Sequence, residues 1–349
     1  MALTDTSLGF EEARDALARW DVHVSRRQLA PGSGTANAAV IVDTPDGRLI
    51  LRRRNPRYAR ADWAHFDQAL FAHLRARGIP APDPVLAPDG HGWVVRQEQL
   101  YELFHFIEGA QHRSGNPREL AAAGRLLARV HAACADFEPP VNKPWPRFHP
   151  PLLSRDGLHE LLEHARDHDE PGERVRLLEQ GLALATALVD RLPDDAYRAL
   201  PSTVVHGDYH PGNLKFVRGR VVGLFDWDWA SHQPRMVDLA DGLLFFCAVR
   251  DAPVVAGDIW SLTSAFSIDA ARAHVFGTAY LEEGGLDAAD LRALPDLMRC
   301  RWLYCRVDAA QRKVEPQRRA EFVTRELAVP LACIDALEPS MLDGTLFAS

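Results

Sequence analysis

Residues 206–213 read His-Gly-Asp-Tyr-His-Pro-Gly-Asn and lie between the apolar runs 202–205 and 214–217. Thirteen residues after Asn213, at the end of the next apolar run, stand Asp226, Trp227 and Asp228. Asn213 and Asp226 offer hard oxygen ligands that suit Mg²⁺, which takes few protein ligands and keeps phosphate oxygens and water. Asp208 is then left to accept a proton from an attacking hydroxyl. That division of labour belongs to phosphoryl transfer, where positioning and charge neutralisation dominate. Other chemistries fit parts of the segment. His206, Asp208 and His210 could ligate a hydrolytic metal, but a closed zinc site needs further His or Cys ligands, and hydrolysis gives Asn213 no task. Asp226-Trp227-Asp228 also matches the acid-x-acid pattern of nucleotide-sugar metal sites, a short pattern on its own.

The elements that must position these groups follow from periodicity. A short amphipathic helix is expected over 9–19. A glycine-bearing turn at 31–35 precedes strands at 38–42 and 48–53, with Asp46-Gly47 as a hairpin signal between them. Asp62 is placed to cap a helix that runs to Arg77 and stops at Gly78. Strands at 92–97 and 99–106 follow. After Gly109 the pattern turns helical, at 117–135, 153–165 and 174–191, with a proline-rich tract at 141–151. Strands at 202–205 and 214–217 bracket a polar loop, Arg218-Gly219-Arg220 turns into a strand at 221–225, this β island is read as a short catalytic hairpin, and the chain is helical from 235 onward. The outline is a small β-rich lobe, a connector near 107–109 and a larger helical lobe.

Composition narrows the function. The chain has 349 residues, and 40 Lys and Arg against 48 Asp and Glu give a net charge of −8. An acidic chain is a poor general binder of nucleic acid. The 5 cysteines are odd in number and lack a C-x-x-C spacing, so they read as buried thiols of a reducing compartment. With no apolar leader and no membrane-length apolar run, the expectation is a cytoplasmic protein with no membrane partner. Arg52, Arg53 and Arg54 alternate across a strand, so only part of the run can face a ligand. The acidic stretch 167–173 reads as a solvated loop, and 302–304 as core. His206 reads as structural, His210 is undecided, Asp228 stands close to the site, and Asp238 caps or anchors the helix that follows.

The segment 206–213, with Asp226 on the next strand and Asp238-Leu239-Ala240 beyond it, resembles the catalytic loop of the aminoglycoside phosphotransferase and choline kinase superfamily. Gly34-Thr35-Ala36-Asn37, the corner Gly78-Ile79-Pro80-Ala81-Pro82 and the hinge 104–109 resemble its homoserine kinase-like branch. The resemblance spans residues 30 to 245. It implies an α+β, protein-kinase-like fold, with a small antiparallel β-sheet lobe (1–108) and a larger, mainly helical lobe (109–349). It implies ATP and Mg²⁺ as cofactors. Asp208 would be the catalytic base, and Asn213 and Asp226 would hold the metal. The backbone of Ser33, Gly34 and Thr35, together with Arg52, would hold the phosphates, and the hinge backbone at His105 and Ile107 would bind adenine. Arg52 stands where the family has a lysine, and Gln68 or Asp67 where it has that lysine's helix partner. His210 and Asp228 lie beside the site. The implied partner is a small-molecule hydroxyl acceptor, an amino alcohol or a hydroxylated amino acid like homoserine. An aminoglycoside or other antibiotic acceptor, or a nucleotide-binding pseudokinase, are the alternatives.

Overall fold

The computed structural model describes residues 8–32, 37–144, 151–168, 170–255 and 257–348. Ser33, Gly34 and Thr35 therefore lie outside the described residues. Five strands, β1 (Leu29–Pro31), β2 (Ala38–Thr44), β3 (Gly47–Arg53), β4 (Trp93–Arg96) and β5 (Gln99–His105), form an antiparallel sheet in the order β1-β2-β3-β5-β4. Period-two alternation gives the sheet two unlike faces. Val40, Val42, Leu49, Leu51, Tyr101 and Leu103 bury against Ala13, Ala16 and Leu17 of α1 (Phe10–Leu17). Ile50, Arg52, Glu102 and Phe104 turn the other way, and Arg52 lies directly across from Glu102 in the β3–β5 register. Arg53, out of phase with Arg52, bonds Glu12 of α1 at 2.7 Å.

Helix α2 (Ala61–Ala76) packs under that second face. It buries Phe66, Leu70, Phe71 and Leu74, each worth about 1.5–3 kcal/mol relative to exposure. Its start differs from expectation. Arg60 occupies the N-cap position, and Asp62 instead takes the Arg60 guanidinium at 2.7 Å. The stop agrees: Gly78 follows the helix with a φ of +71°.

The larger lobe is mainly helical. It holds α3 (Pro117–Cys134), α4 (Leu152–Asp167), α5 (Gly172–Arg191), α6 (Asp194–Arg198), α7 (Met236–Phe246), α8 (Ala270–Glu283), α9 (Ala288–Lys313), α10 (Arg319–Thr324) and α11 (Ala328–Leu342). Asn116 caps α3 by accepting the Arg118 N–H at 3.0 Å. Helices α3 and α8 approach closely at Gly124, where a Cβ would sit 2.3 Å from the Phe276 carbonyl oxygen.

The β island contains the expected turn at Arg218-Gly219 and adds a second ladder that the sequence did not suggest. Strand β6 (Ser202–Val205) pairs with β9 (Ser231–Pro234), and β7 (Leu214–Val217) pairs with β8 (Arg220–Leu224). The loop 206–213 thus crosses from one ladder to another. The turn at Arg218-Gly219, with φ of 51° and 78°, supplies the two left-handed positions that a tight hairpin needs, so it closes β7 onto β8. A short pair, β10 (Ala248–Arg250) with β11 (Phe266–Ile268), also interrupts the region expected to be wholly helical.

Candidate active site

Helix α7 is apolar except for Asp238 and Asp241, three residues apart and hence on one side. That side holds the loop. Asp238 accepts the His206 N–H and the Gly207 N–H, each at 2.7 Å, and Asp241 accepts the Tyr209 N–H at 3.2 Å. Asp238 does not cap its helix, since both its oxygens serve the loop backbone, but it anchors that helix to the loop and, through His131 Nε2 at 3.2 Å, to α3. Gly207 has a φ of +80°, and a Cβ there would lie 2.6 Å from the Trp229 carbonyl oxygen. Only glycine lets the loop pass so close to the segment after Asp226.

His206 is fully buried and structural, as expected. Its Nδ1 accepts the Asp208 N–H at 3.2 Å, which leaves Nε2 to donate to the Phe225 carbonyl at 2.7 Å. Burial pushes its pKa below the usual histidine value, with Asp238 and Asp208 pulling the other way. With both nitrogens committed, a hydrolytic site of His206, Asp208 and His210 does not form. No group of three or more His, Cys, Asp or Glu placed to hold a metal occurs among the described residues.

Asp208 is 27% exposed. Its Oδ1 meets Arg301 Nη2 of α9 at 2.9 Å, and its Oδ2 lies 3.4 Å from His210 Nε2. Burial raises its carboxyl, but His210 and Arg301 together hold it well below the usual carboxylate range. The Gly212 N–H donates to His210 Nδ1 at 3.0 Å, which places the His210 proton on Nε2, toward Asp208. The amide Nδ2 of Asn213 donates to the Asp208 carbonyl at 2.9 Å, so its Oδ1 is the amide atom left to serve as a ligand. Phe225 N–H bonds the Asn213 carbonyl at 2.9 Å and brings Asp226 alongside.

Asp226 adopts left-handed backbone, with a φ of 59°, and its side chain is 37% exposed. Burial and the like charge of Asp228 push its carboxyl up to about 7, opposed by Arg52. Asp228 is 1% exposed. It accepts from Asn37 Nδ2 at 2.7 Å and pairs with Arg52 Nη2 at 3.1 Å. Burial opposes its ionisation, yet Arg52, Arg54 and Lys143 hold it below the usual carboxylate range.

Arg52 faces the carboxylates. It bonds Glu102 at 2.6 Å and lies 3.6 Å from Asp226. The expected pairing of Arg52 with α2 is not made. Arg54, two residues on and on the same face, makes it: Nη2 bonds Asp67 at 2.5 Å, and Nε bonds Glu102 at 2.8 Å. Asp67 is the α2 partner. Gln68 points at Gly92 instead, and its buried Nε2 has no hydrogen-bond partner. Lys143, from the proline-rich tract, completes the cluster with bonds to Asp67 at 2.6 Å and to the Trp227 carbonyl at 3.1 Å.

At the hinge, Phe106 N–H bonds the Arg48 carbonyl, and His105 N–H bonds the Asp83 carbonyl, each at 2.9 Å. His105 therefore has its carbonyl, not its N–H, to offer an adenine, and Ile107 its N–H. Sequence reasoning missed Asn37, Glu102, Lys143, Asp241 and Arg301. Two acids at i and i+3 in the apolar α7 are a readable signal for Asp241. Local spacing carries none for Arg301.

The sequence pattern of the phosphotransferase enzyme family matches residues 27–274. The chain belongs to this family. It is similar to the homoserine kinase of a Bradyrhizobium species, 28% identical over 295 residues that cover 84% of this chain and 82% of that one. The homoserine kinase of Rhodopseudomonas palustris is 29% identical with the same coverage. Among solved structures, a microcompartment-associated aminopropanol kinase superposes with a TM-score of 0.68 at 17% identity, covering 96% of this chain and 99% of that chain. An aminoglycoside phosphotransferase from Alicyclobacillus acidocaldarius gives 0.66 at 16% identity, with 95% of each chain covered. An amicoumacin kinase in complex with AMP-PNP and Ca²⁺ gives 0.63 at 17%, covering 97% and 94%. The two-lobed, kinase-like α+β fold is thereby established, and the chain is a small-molecule kinase that phosphorylates a hydroxyl. No described helix is long and apolar enough to cross a membrane.

Proposed function

We propose that this phosphotransferase moves the γ-phosphoryl group of Mg-ATP to the hydroxyl of an amino alcohol or hydroxylated amino acid, with homoserine as the first candidate. One observation carries the reading. A partly exposed carboxylate, Asp208, is held in a rigid loop beside Asn213, and that loop is bonded through Phe225 to the chain that presents Asp226. Similarity to homoserine kinases over 84% of the chain supports the acceptor class.

The residues present fit a hard divalent cation, since the amide oxygen of Asn213 and the carboxylate of Asp226 are its preferred donors. They would hold Mg²⁺, which when bound neutralises charge on the phosphate oxygens. In the transfer step, the acceptor hydroxyl gives its proton to Asp208 as its oxygen bonds the γ-phosphorus. The bond from that phosphorus to the bridging oxygen breaks, and ADP leaves with the electron pair. Arg52 and the backbone of Ser33, Gly34 and Thr35 are assigned to the phosphates, and the His105 carbonyl and Ile107 N–H to adenine. Residues 1–108 are taken as the nucleotide-binding lobe and 109–349 as the lobe that presents the base and the acceptor.

The test is ADP release across homoserine, hydroxylysine, choline, methylthioribose and aminoglycosides. Turnover with homoserine or another hydroxylated amine supports the reading. Turnover with aminoglycosides alone moves the acceptor to an antibiotic. Nucleotide binding with no acceptor-dependent ADP release overturns the enzymatic assignment in favour of a pseudokinase.

A further inference from the structure

Helix α9 sends one arginine into the catalytic loop, from a region with no readable motif. Arg301 is nearly enclosed, its side chain 3% exposed. It joins two carboxylates from different elements, with Nη2 2.9 Å from Asp208 Oδ1 and Nε 2.5 Å from Asp241 Oδ1. Its guanidinium carbon lies 5.6 Å from the Trp229 ring centroid and 5.8 Å from that of Phe245. Rings close to the guanidinium restrict its plane, and the fork fixes which oxygen it meets. Asp241 is itself fixed, because its second oxygen accepts the Tyr209 N–H at 3.2 Å.

The consequence concerns the two oxygens of Asp208. A free aspartate rotates readily about its last torsion, so either oxygen can present itself. Here Oδ1 is engaged by a strong, charge-assisted bond. Oδ2 has only long contacts, 3.4 Å to His210 and 3.5 Å to Asn213. We infer that Arg301 is a positioning residue for the transfer step, engaging Asp208 Oδ1 and bracing against Asp241 so that Oδ2 is the oxygen presented to the acceptor hydroxyl. This rests on the reading of Asp208 as the base. Arg301 touches neither nucleotide nor acceptor in this role. It acts through the orientation of Asp208, where small misplacements of a reacting group are expected to lower rates by about 100-fold.

The test compares Arg301→Lys, Arg301→Met and Asp241→Asn with wild type and Asp208→Asn. Steady-state kinetics with homoserine and Mg-ATP are measured alongside acceptor-free Mg-ATP hydrolysis, ATP affinity and thermal midpoint. The expected result is a kcat lower by about 10- to 100-fold in Arg301→Met, a smaller loss in Arg301→Lys and Asp241→Asn, and little change in either KM or in ATP affinity. Lysine should recover part of the rate because it keeps one charged contact to Oδ1 without the fork. Acceptor-free hydrolysis should fall in parallel, since water would meet the same oxygen. A raised homoserine KM at unchanged kcat would assign Arg301 to acceptor binding and overturn the inference. Unchanged kinetics, or a kcat loss that only tracks lost ATP affinity and thermal midpoint, would reduce Arg301 to packing. If Arg301→Met does not fold, Arg301→Lys and Asp241→Asn decide. Normal kcat in Arg301→Lys beside an inactive Asp208→Asn removes only the positioning role, whereas an active Asp208→Asn removes the base assignment itself.

Discussion

The carboxylates around Asp226 and the carboxylate of Asp208 are held in different ways. Near Asp226, three cations (Arg52, Arg54 and Lys143) share three buried acids (Asp67, Glu102 and Asp228). The group draws together the β-sheet, α2 and the proline-rich tract, and most members have two partners. Asp208 instead meets one guanidinium, from a residue 93 positions away, with the loop backbone pinned separately by Asp238 and Asp241. The first is a collective arrangement in which removing one member leaves several buried charges unbalanced. The second is a smaller set, Arg301 between Asp208 and Asp241, on a loop whose backbone is bonded to Asp238 and Asp241 and not to Asp208 itself. Damage to the first should therefore appear as lost stability, and damage to the second as lost rate.

The sharpest separation comes from Asp208→Asn. Turnover should fall by about 10²- to 10⁴-fold, the usual contribution of a positioned base. The thermal midpoint should stay close to that of wild type, because loop anchoring rests on other residues. Asp67→Ala should do the reverse. It strands Arg54 and Lys143 in the interior, and removing one partner of a buried ion pair typically costs about 3–5 kcal/mol, read as a lower denaturant midpoint. A wild-type midpoint for Asp67→Ala would break the contrast. Asn37→Ala removes a hydrogen bond to the charged Asp228, and a loss of about 1.5–3 kcal/mol is expected from chemical unfolding.

The smallest effect is in pH dependence. His206 is buried with its pKa depressed, so the unfolded chain takes up a proton that the folded chain refuses. Its contribution to stability is complete above the unfolded value near 6.5 and is lost as pH falls toward the lower folded value. His206→Asn should flatten that part of the fall in thermal midpoint below about pH 6.5. Equal slopes in the two proteins would show that His206 is not the group that titrates.

Legibility in the sequence follows the same contrast. Alternation in β3 separated Arg53 from Arg52, and spacing brought Asp208, Asn213 and Asp226 to neighbouring loops. These are short-range consequences of strand and turn geometry. Asp67 and Gln68 could not be told apart from sequence, because only the angle at which α2 meets the sheet decides which of them is turned toward Arg54. The turn at Arg218-Gly219 was legible, because two left-handed positions between apolar runs are a local signal, but pairing of β6 with β9 depends on a return of the chain that local apolar runs do not encode. Lys143 and Arg301 reach their partners across 76 and 93 residues, and tertiary packing alone selects them.

The pairing of β6 with β9 has one more consequence. The excursion from His206 to Ala230 leaves and returns on adjacent strands, and its far end is closed by β7 and β8 at Arg218-Gly219. The separation of Asp208 from Asp226 is therefore set by two ladders, and not by the length of chain between them. The Arg218-Gly219 turn, separated in sequence from both acids, thus helps to fix their spacing by closing one of those ladders.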